Sequence, residues 1–411
     1  MLRFAITPNK DLDLNQLRVA LINHIVAKQK NETLIIRIED IEKEKVIEKK
    51  DKEIVNLLNL FSIDYTQVLH QQDNLKYHLQ FAMQFLVDKR AFNCFCSDEA
   101  LQKDGTSYYS GFCENLHDEN TLNLDAPFTV RLKRPQNNII YKDRVYGTQE
   151  FTPNEVDSFI ILNHEKRAVT VFANGIDDML NNITTVIEND DQLANAAKQI
   201  YTRNQIGYDQ QIEYSHIPKI DNGNISVQSL VDGGYLPAAI ANYLISLAYH
   251  PLPKEIFTIE EAIEWFDISK FSLDHIPFDM EKLNKFNQSY IQELDNMRLS
   301  KILGYADEDI GKLAKLYANN LFTIKSIKEK IDNIFSLKNS NNETKIINEC
   351  LANAPYMDSL DDLKNHLINN TTLTNETVDK ALYYAITGEN EGLEMELIYP
   401  LIKNYLGEIV C

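Results

Sequence analysis

The stretch MLRFAITPNKDLDLNQLRVALINHIVAKQKNETLIIRIEDIE, residues 1–42, reads as a strand, a loop, a helix and a second strand that ends on charged residues. Arg3-Phe4-Ala5-Ile6 is a short apolar run suited to a buried strand. Residues 7–16, with Pro8, Asn9, Lys10, Asp11 and Asn15, carry turn chemistry. Leu14, Leu17, Val19, Ala20, Leu21, Ile22 and Ile25 then recur at a helical period, with Lys28 and Lys30 where a helix end favours cations. Leu34-Ile35-Ile36-Arg37-Ile38 is largely apolar, as a parallel strand covered on both faces requires. Ligands of a βαβ unit bind outside the carboxyl ends of its strands, so Thr7, Glu39 and Asp40 are predicted to face one crevice.

Arg3-Phe4-Ala5, Arg18-Val19-Ala20-Leu21, Asn23 and Arg37-Ile38-Glu39-Asp40 stand in the order and spacing of the opening of bacterial glutamyl-tRNA synthetases, and the chain resembles that class I family. Further matches fall at Asp177-Asp178-Met179-Leu180, at residues 278–284 and at Tyr384-Ala385-Ile386-Thr387-Gly388, so the resemblance runs to about Val410. It implies an α/β Rossmann-like class I catalytic domain with an inserted acceptor-stem-type domain, followed by an all-α C-terminal region. The expected division is 1–88 and 156–226 for the two halves of the catalytic domain and 89–155 for the insertion with its Cys cluster. Residues 227–297 would be a stem-contact helical region and 298–411 a helical anticodon-binding-like domain.

Such an enzyme lets the amino-acid carboxylate attack the α-phosphate of ATP and needs fixed donors around the developing phosphate charge. The family supplies them with two motifs. The first, His-Ile-Gly-His, opens the helix after the first strand, where backbone amides already favour anions. Those positions here are Asp13, Leu14, Asn15 and Gln16: a carboxylate that repels phosphate, no glycine and no imidazole. Asp is also a good helix cap, so the bland reading is a helix that kept its cap. The second, Lys-Met-Ser-Lys-Ser, belongs between His216-Ile217-Pro218 and Val227, where only Lys219-Ile220-Asp221-Asn222-Gly223-Asn224-Ile225-Ser226 stands. No catalytic residue is therefore assigned, and the sequence argues against ATP binding.

The amino-acid pocket is half kept. Arg3, Thr7, Glu39 and Asn174 match the family's glutamate-binding set. Thr170 stands where a tyrosine is usual, and Glu188 where the family has the arginine that holds the side-chain carboxylate. That reversal turns a clamp into a repulsive group, so free glutamate is expected to bind poorly. The competing reading of Arg3 and Glu39 is a structural ion pair at the sheet end.

Residues 94–113 hold Cys94-Phe95-Cys96, twelve residues, Tyr109, three residues and Cys113. Thiolates are soft zinc ligands, and a Cys-x-Cys knuckle plus a third Cys closes most of a tetrahedral site with a phenolate as fourth ligand. The resemblance implies a structural zinc at Cys94, Cys96, Tyr109 and Cys113; the alternative is three small buried hydrophobes in a metal-free remnant.

Amphipathic patterns at residues 41–61 and 74–89 predict helices packed on the sheet. Strands are expected within 128–146, finishing the inserted domain, and at residues 156–162, 169–173 and 183–187, returning to the central sheet with 177–180 continuing it. From Arg298 the pattern is all helix: 310–317, 324–334, 345–351, 360–368 behind a capping Ser359, 378–386 and 397–406.

With 44% hydrophobic and 25% charged residues, a chain of 411 residues belongs to the soluble globular class and should hold two to four domains. The most apolar run, 235–249, contains Pro237, Asn242 and Ser246 and is shorter than the ~20 residues of a membrane span. Five cysteines without a secretion signal indicate a reducing cytoplasm. A formal charge of −20 excludes binding nucleic acid by a global positive field. Local basic faces remain at Lys28 and Lys30, at 49–52 and at Arg131-Leu132-Lys133-Arg134.

The leading expectation is a paralogue of glutamyl-tRNA synthetase, lacking both ATP signatures, that acts by binding tRNA or a protein partner such as an active synthetase. The rival is a divergent but active glutamate–tRNA ligase, or a ligase for another substrate in tRNA aminoacylation.

Overall fold

The computed structural model describes residues 1–96, 108–116, 126–273, 276–338 and 341–409. Strand β1 (Leu2–Ile6), helix α1 (Leu14–Lys30) and strand β2 (Leu34–Ile38) form the unit expected from the first residues. β1 and β2 are parallel, with Arg3 opposite Ile35 and Ile6 opposite Ile38. Every residue of β2 is buried, which explains its lack of alternation. Helices α2 (Lys50–Leu60) and α3 (Leu75–Val87) follow, α2 burying Ile54, Leu57 and Leu58 and α3 burying Ala82 and Phe85.

With β3 (Gln67–His70), β6 (Ile139–Asp143), β7 (Gly147–Phe151), β9 (Thr185–Asn189) and β10 (Glu213–Ile217), β1 and β2 make a seven-stranded sheet ordered β3-β2-β1-β9-β10-β6-β7. Its neighbours pair in parallel except the β6–β7 hairpin. A separate antiparallel sheet is built from β4 (Ala91–Cys94), β5 (Thr129–Leu132) and β8 (Ile160–Leu162).

Three strand expectations are corrected. The strand at Ile139 joins the central sheet beside β10 instead of finishing the insertion, and β8 pairs with β5 instead of returning to the centre. Residues 170–173 open helix α4 (Thr170–Leu180), which also contains 177–180. Short apolar runs carry no period that separates strand from buried helix. In the helix, Asn174 and Asp178 lie one turn apart, and their side chains meet Gln71 and Arg3.

The described chain separates into two compact units, Met1–Gln228 with Leu244–Phe278, and Ser229–Tyr243 with Asp279–Cys411, so the expected region 227–297 is shared between them. The second unit is helical: Met280–Glu293, Asn296–Leu303, Glu308–Tyr317, Ile324–Phe335, Asn342–Ala352, Leu360–Asn370, Asn375–Thr387 and Met395–Ile402. Side chains of Asp279, Asp295, Asp307, Thr323, Asn341, Ser359 and Thr374 each accept a backbone N–H at the start of one of the first seven, as N-caps do. The Met395–Ile402 helix tightens into a 3-10 turn over Lys403–Tyr405, and a final helical turn follows at Leu406–Ile409. The expected 397–406 is thus helical throughout, with Pro400, which has no N–H to donate, accommodated inside the first of these segments. Ile327, Ile331, Ile347, Leu363, Ile386 and Ile398 form the centre of its core. Among the described residues no helix is long and apolar enough to cross a membrane.

Candidate functional site

At the carboxyl ends of β1, β2 and β9, where the strand order switches from β1 to β9, lies a crevice of about 360 Å³. An open α/β sheet places its ligands in such a crevice. Below it, Arg3 is fully buried. Its Nε donates to Asp178 Oδ1 at 3.1 Å and its Nη2 to Glu188 Oε1 at 2.7 Å. Arg37 Nη1 donates to the same Asp178 Oδ1 at 2.5 Å. Burial opposes ionisation of Asp178, but Arg3, Arg37 and Arg203 outweigh it and hold the carboxyl at about 2.

Glu39 sits in the crevice wall with Thr7 and Asn174. Thr7 Oγ1 donates to Glu39 Oε2 at 3.1 Å and Asn174 Nδ2 to Oε1 at 2.7 Å. Burial, aided by the charge of Glu188, pushes the Glu39 carboxyl above its ordinary value, while Arg37, Asn174 and Arg3 pull it down less strongly. The expected alternative of an Arg3–Glu39 ion pair is thus replaced: Arg3 pairs with Asp178 and Glu188, and Glu39 with two neutral donors. Asp40 leaves the crevice, accepting the Gln72 N–H at 2.9 Å and sharing a 2.7 Å hydrogen bond with His70 Nδ1. Asn174 is oriented from behind, because Gln71 Nε2 donates to its Oδ1 at 2.8 Å and to Asp177 at 2.9 Å.

The start of α1 is closed on itself. The Gln16 N–H donates to Asp13 Oδ1 at 2.9 Å, and the Asp13 N–H donates to Gln16 Oε1 at 3.0 Å, a reciprocal cap. The Leu14 N–H donates to Gly223 O at 3.1 Å. Three of the four amides that a helix start normally leaves open are used internally. Asn15 stitches the 219–226 loop to the helix, donating from Nδ2 to Ile220 O and accepting the Ile220 N–H at 2.8 Å. A Cβ on Gly223 would come 2.4 Å from Asn15 Nδ2, so this approach requires glycine. Lys219, the cation of that loop, is bound to Asp191 at 2.9 Å, and Lys10 to Asp13 at 2.7 Å.

The cysteine group converges as the sequence expects. Cys94, Cys96 and Cys113 place their sulfurs within 4.8 Å of one another. Cys96 Sγ lies 3.5 Å from Cys113 Sγ, and the Tyr109 hydroxyl lies 3.6 and 3.7 Å from Cys94 and Cys96 Sγ. A tetrahedron with Zn–S bonds of about 2.3 Å has edges of roughly 3.7 Å, so this donor set fits zinc. Burial alone would raise the Cys94 thiol, but the Cys96 N–H, Tyr109 and Arg131 hold it below its ordinary value. Burial pushes Cys96 up to about 12 and raises Tyr109 further, so a metal would have to displace protons from both.

The basic clusters are mostly satisfied within the fold. Lys28 binds Asp64, Lys30 binds Glu213, Lys50 binds Asp11, and Arg131 Nη1 donates to Ser158 O. The residues that sequence reading missed are Asp178, Gln71, Asn15 and Gly223. An acidic pair, Asp177-Asp178, inside an apolar run was the available signal for the first.

The model of the family described as tRNA synthetases class I (E and Q), catalytic domain, matches residues 1–285. A protein named glutamate–tRNA ligase 2 from Sulfurimonas denitrificans is 43% identical, covering 100% of both chains. Glutamate–tRNA ligase 1 from Campylobacter jejuni is 39% identical over 100% of this chain and 99% of that one. The crystal structure of a glutamate tRNA ligase from Elizabethkingia meningosepticum in complex with its amino acid superposes with a TM-score of 0.79, covering 100% and 98% at 21% identity, a likeness of fold.

Proposed function

The chain belongs to the class I tRNA synthetases of the E and Q branch, and from that premise we propose that it has given up ATP-dependent activation of glutamate and acts by binding. The observation that carries this reading is the self-closed start of α1. A triphosphate in this family's fold needs free amides and cations there. Three amides are taken, a carboxylate stands at Asp13, and the lysine of the shortened loop is bound to Asp191. The occupant of the binding surface is tRNA, as family membership suggests, or a protein of translation such as an active synthetase. The division into catalytic halves, insertion at 89–155, stem-contact region and anticodon-binding-like helices is part of the same proposal.

Glutamate-dependent exchange of pyrophosphate into ATP is expected at the level of a no-enzyme blank, with or without tRNA. Exchange well above that blank would overturn the reading and favour the divergent ligase, for which the identities of 39–43% with proteins named glutamate–tRNA ligases speak.

Zinc at Cys94, Cys96, Tyr109 and Cys113 belongs to this proposal as a structural ion tying residues 94–113 together. Protein purified without chelator is expected to carry about one zinc per chain, lost in Cys94→Ser or Cys113→Ser. Metal-free protein of unchanged thermal stability would remove the ion from the account.

A further inference from the structure

Asp157, between the helical turn Pro153–Val156 and β8, has φ 64° and ψ 174°. That backbone region is essentially confined to glycine, and a residue with a Cβ stays in it only where its surroundings over-determine it. The Asp157 side chain is bound on several sides. Both carboxylate oxygens accept the Tyr109 N–H, at 3.0 and 3.1 Å, and Oδ1 also accepts the Ser158 N–H at 2.6 Å. Arg134 closes the group: its Nη2 lies 3.7 Å from Asp157 Oδ1 and donates to Tyr109 O, so both main-chain polar groups of Tyr109 are tied to one ion pair. Arg131 stacks on the ring of the same tyrosine, its Cζ 4.5 Å from the centroid. From that held main chain the Tyr109 hydroxyl reaches the sulfurs of Cys94 and Cys96 and accepts the Cys113 N–H at 2.8 Å.

We propose that Asp157 is the positioning residue of the metal centre: it contributes no ligand atom, yet the zinc affinity of Cys94, Cys96, Tyr109 and Cys113 depends on its carboxylate holding Tyr109 in place. The strained backbone aims the carboxylate at the Tyr109 N–H. Partners behind a ligand fix its orientation, and removing one weakens metal binding by about 10–100-fold. The inference rests on the reading of the cysteine group as a zinc site and names what preorganises it.

Competition for zinc with a chromogenic chelator, on the full chain stripped of metal, tests it. Asp157→Gly loses the carboxylate and the strain together. The metal-free variant is therefore expected to unfold within a few degrees of the parent, while its zinc dissociation constant rises about tenfold or more. Asp157→Asn, of the same shape but with one acceptor oxygen, should weaken zinc by less, and it decides alone if the glycine variant does not fold. Tyr109→Phe removes the phenol ligand. If Asp157 acts through Tyr109, the double variant Asp157→Gly with Tyr109→Phe binds zinc no more weakly than Tyr109→Phe, whereas independent effects would add. Cobalt(II) in place of zinc reports the ligand set, and the visible bands of Asp157→Gly should match those of Tyr109→Phe and differ from the parent's. The inference falls if the Asp157 variants bind zinc as tightly as the parent, or if the double variant loses affinity additively. A parent chain that takes up no zinc would overturn the zinc reading itself, and this inference with it.

Discussion

Asp178→Ala is expected to destabilise the first compact unit by about 3–5 kcal/mol, the cost of stripping the partner from buried cations. Arg3 and Arg37 both donate to Asp178, at 3.1 and 2.5 Å, and all three side chains are essentially unexposed. Without the carboxylate, Arg37 would be left as a buried guanidinium whose Nε and Nη2 already lack partners among the described residues. Urea unfolding followed by a probe in residues 1–228 measures the change, and a loss under about 1 kcal/mol would show that water replaces the carboxylate. The pH dependence follows from the depressed carboxyl, at about 2 against an ordinary 3.8. A carboxyl lowered in the folded state contributes stability that is complete above pH ~4 and is lost as pH falls towards 2. The contribution is about 2 kcal/mol, absent from Asp178→Ala.

The second large effect concerns glutamate. Two unit charges about 4 Å apart interact by about 4 kcal/mol in a partly dry crevice, so replacing a carboxylate by a guanidinium reverses a term of that order. Glu188→Arg combined with Thr170→Tyr is therefore expected to give glutamate binding measurable by calorimetry at millimolar concentration or below, with ATP still unused. Removing Glu188 also takes from Nη2 of Arg3 its 2.7 Å acceptor and leaves it the 3.5 Å contact with Asp178 Oδ2. If the double variant folds normally and binds no glutamate at millimolar concentration, Arg3, Thr7, Glu39 and Asn174 are architectural, and the function lies on the outer surfaces. The two substitutions sit on different elements, Thr170 at the start of α4 and Glu188 in β9, and both line the crevice.

Much of the fold was legible because local periodicity and tertiary burial agree. α1, α3 and the helices from 308 to 387 lie where their apolar spacing put them, give or take a few residues, α2 fills only the second half of the expected 41–61, and Ser359 caps the helix it was expected to cap. The failures are short apolar runs. Residues 169–173 and the strands at 139 and 160 were assigned to the wrong element or sheet, since four or five apolar residues suit a buried helix turn, a central strand or a small antiparallel sheet alike. The site was half legible. Thr7, Glu39, Asn174 and the cysteine group converge as expected, but Asp40 turns to His70, and Arg3 takes Asp178 as a partner that sequence reading had not named.

The sequence by itself determined the family and the βαβ opening, statements about which side chain occupies which position. Only the tertiary structure decided what those side chains do. Asp13 and Gln16 are two letters three positions apart until the helix start folds and they consume each other's amides. Asn15 gains meaning only when Gly223, over two hundred residues away, comes close enough to exclude a Cβ. The physical reason is that hydrogen bonds and ion pairs act over about 3–4 Å, a distance set by packing and not by separation along the chain.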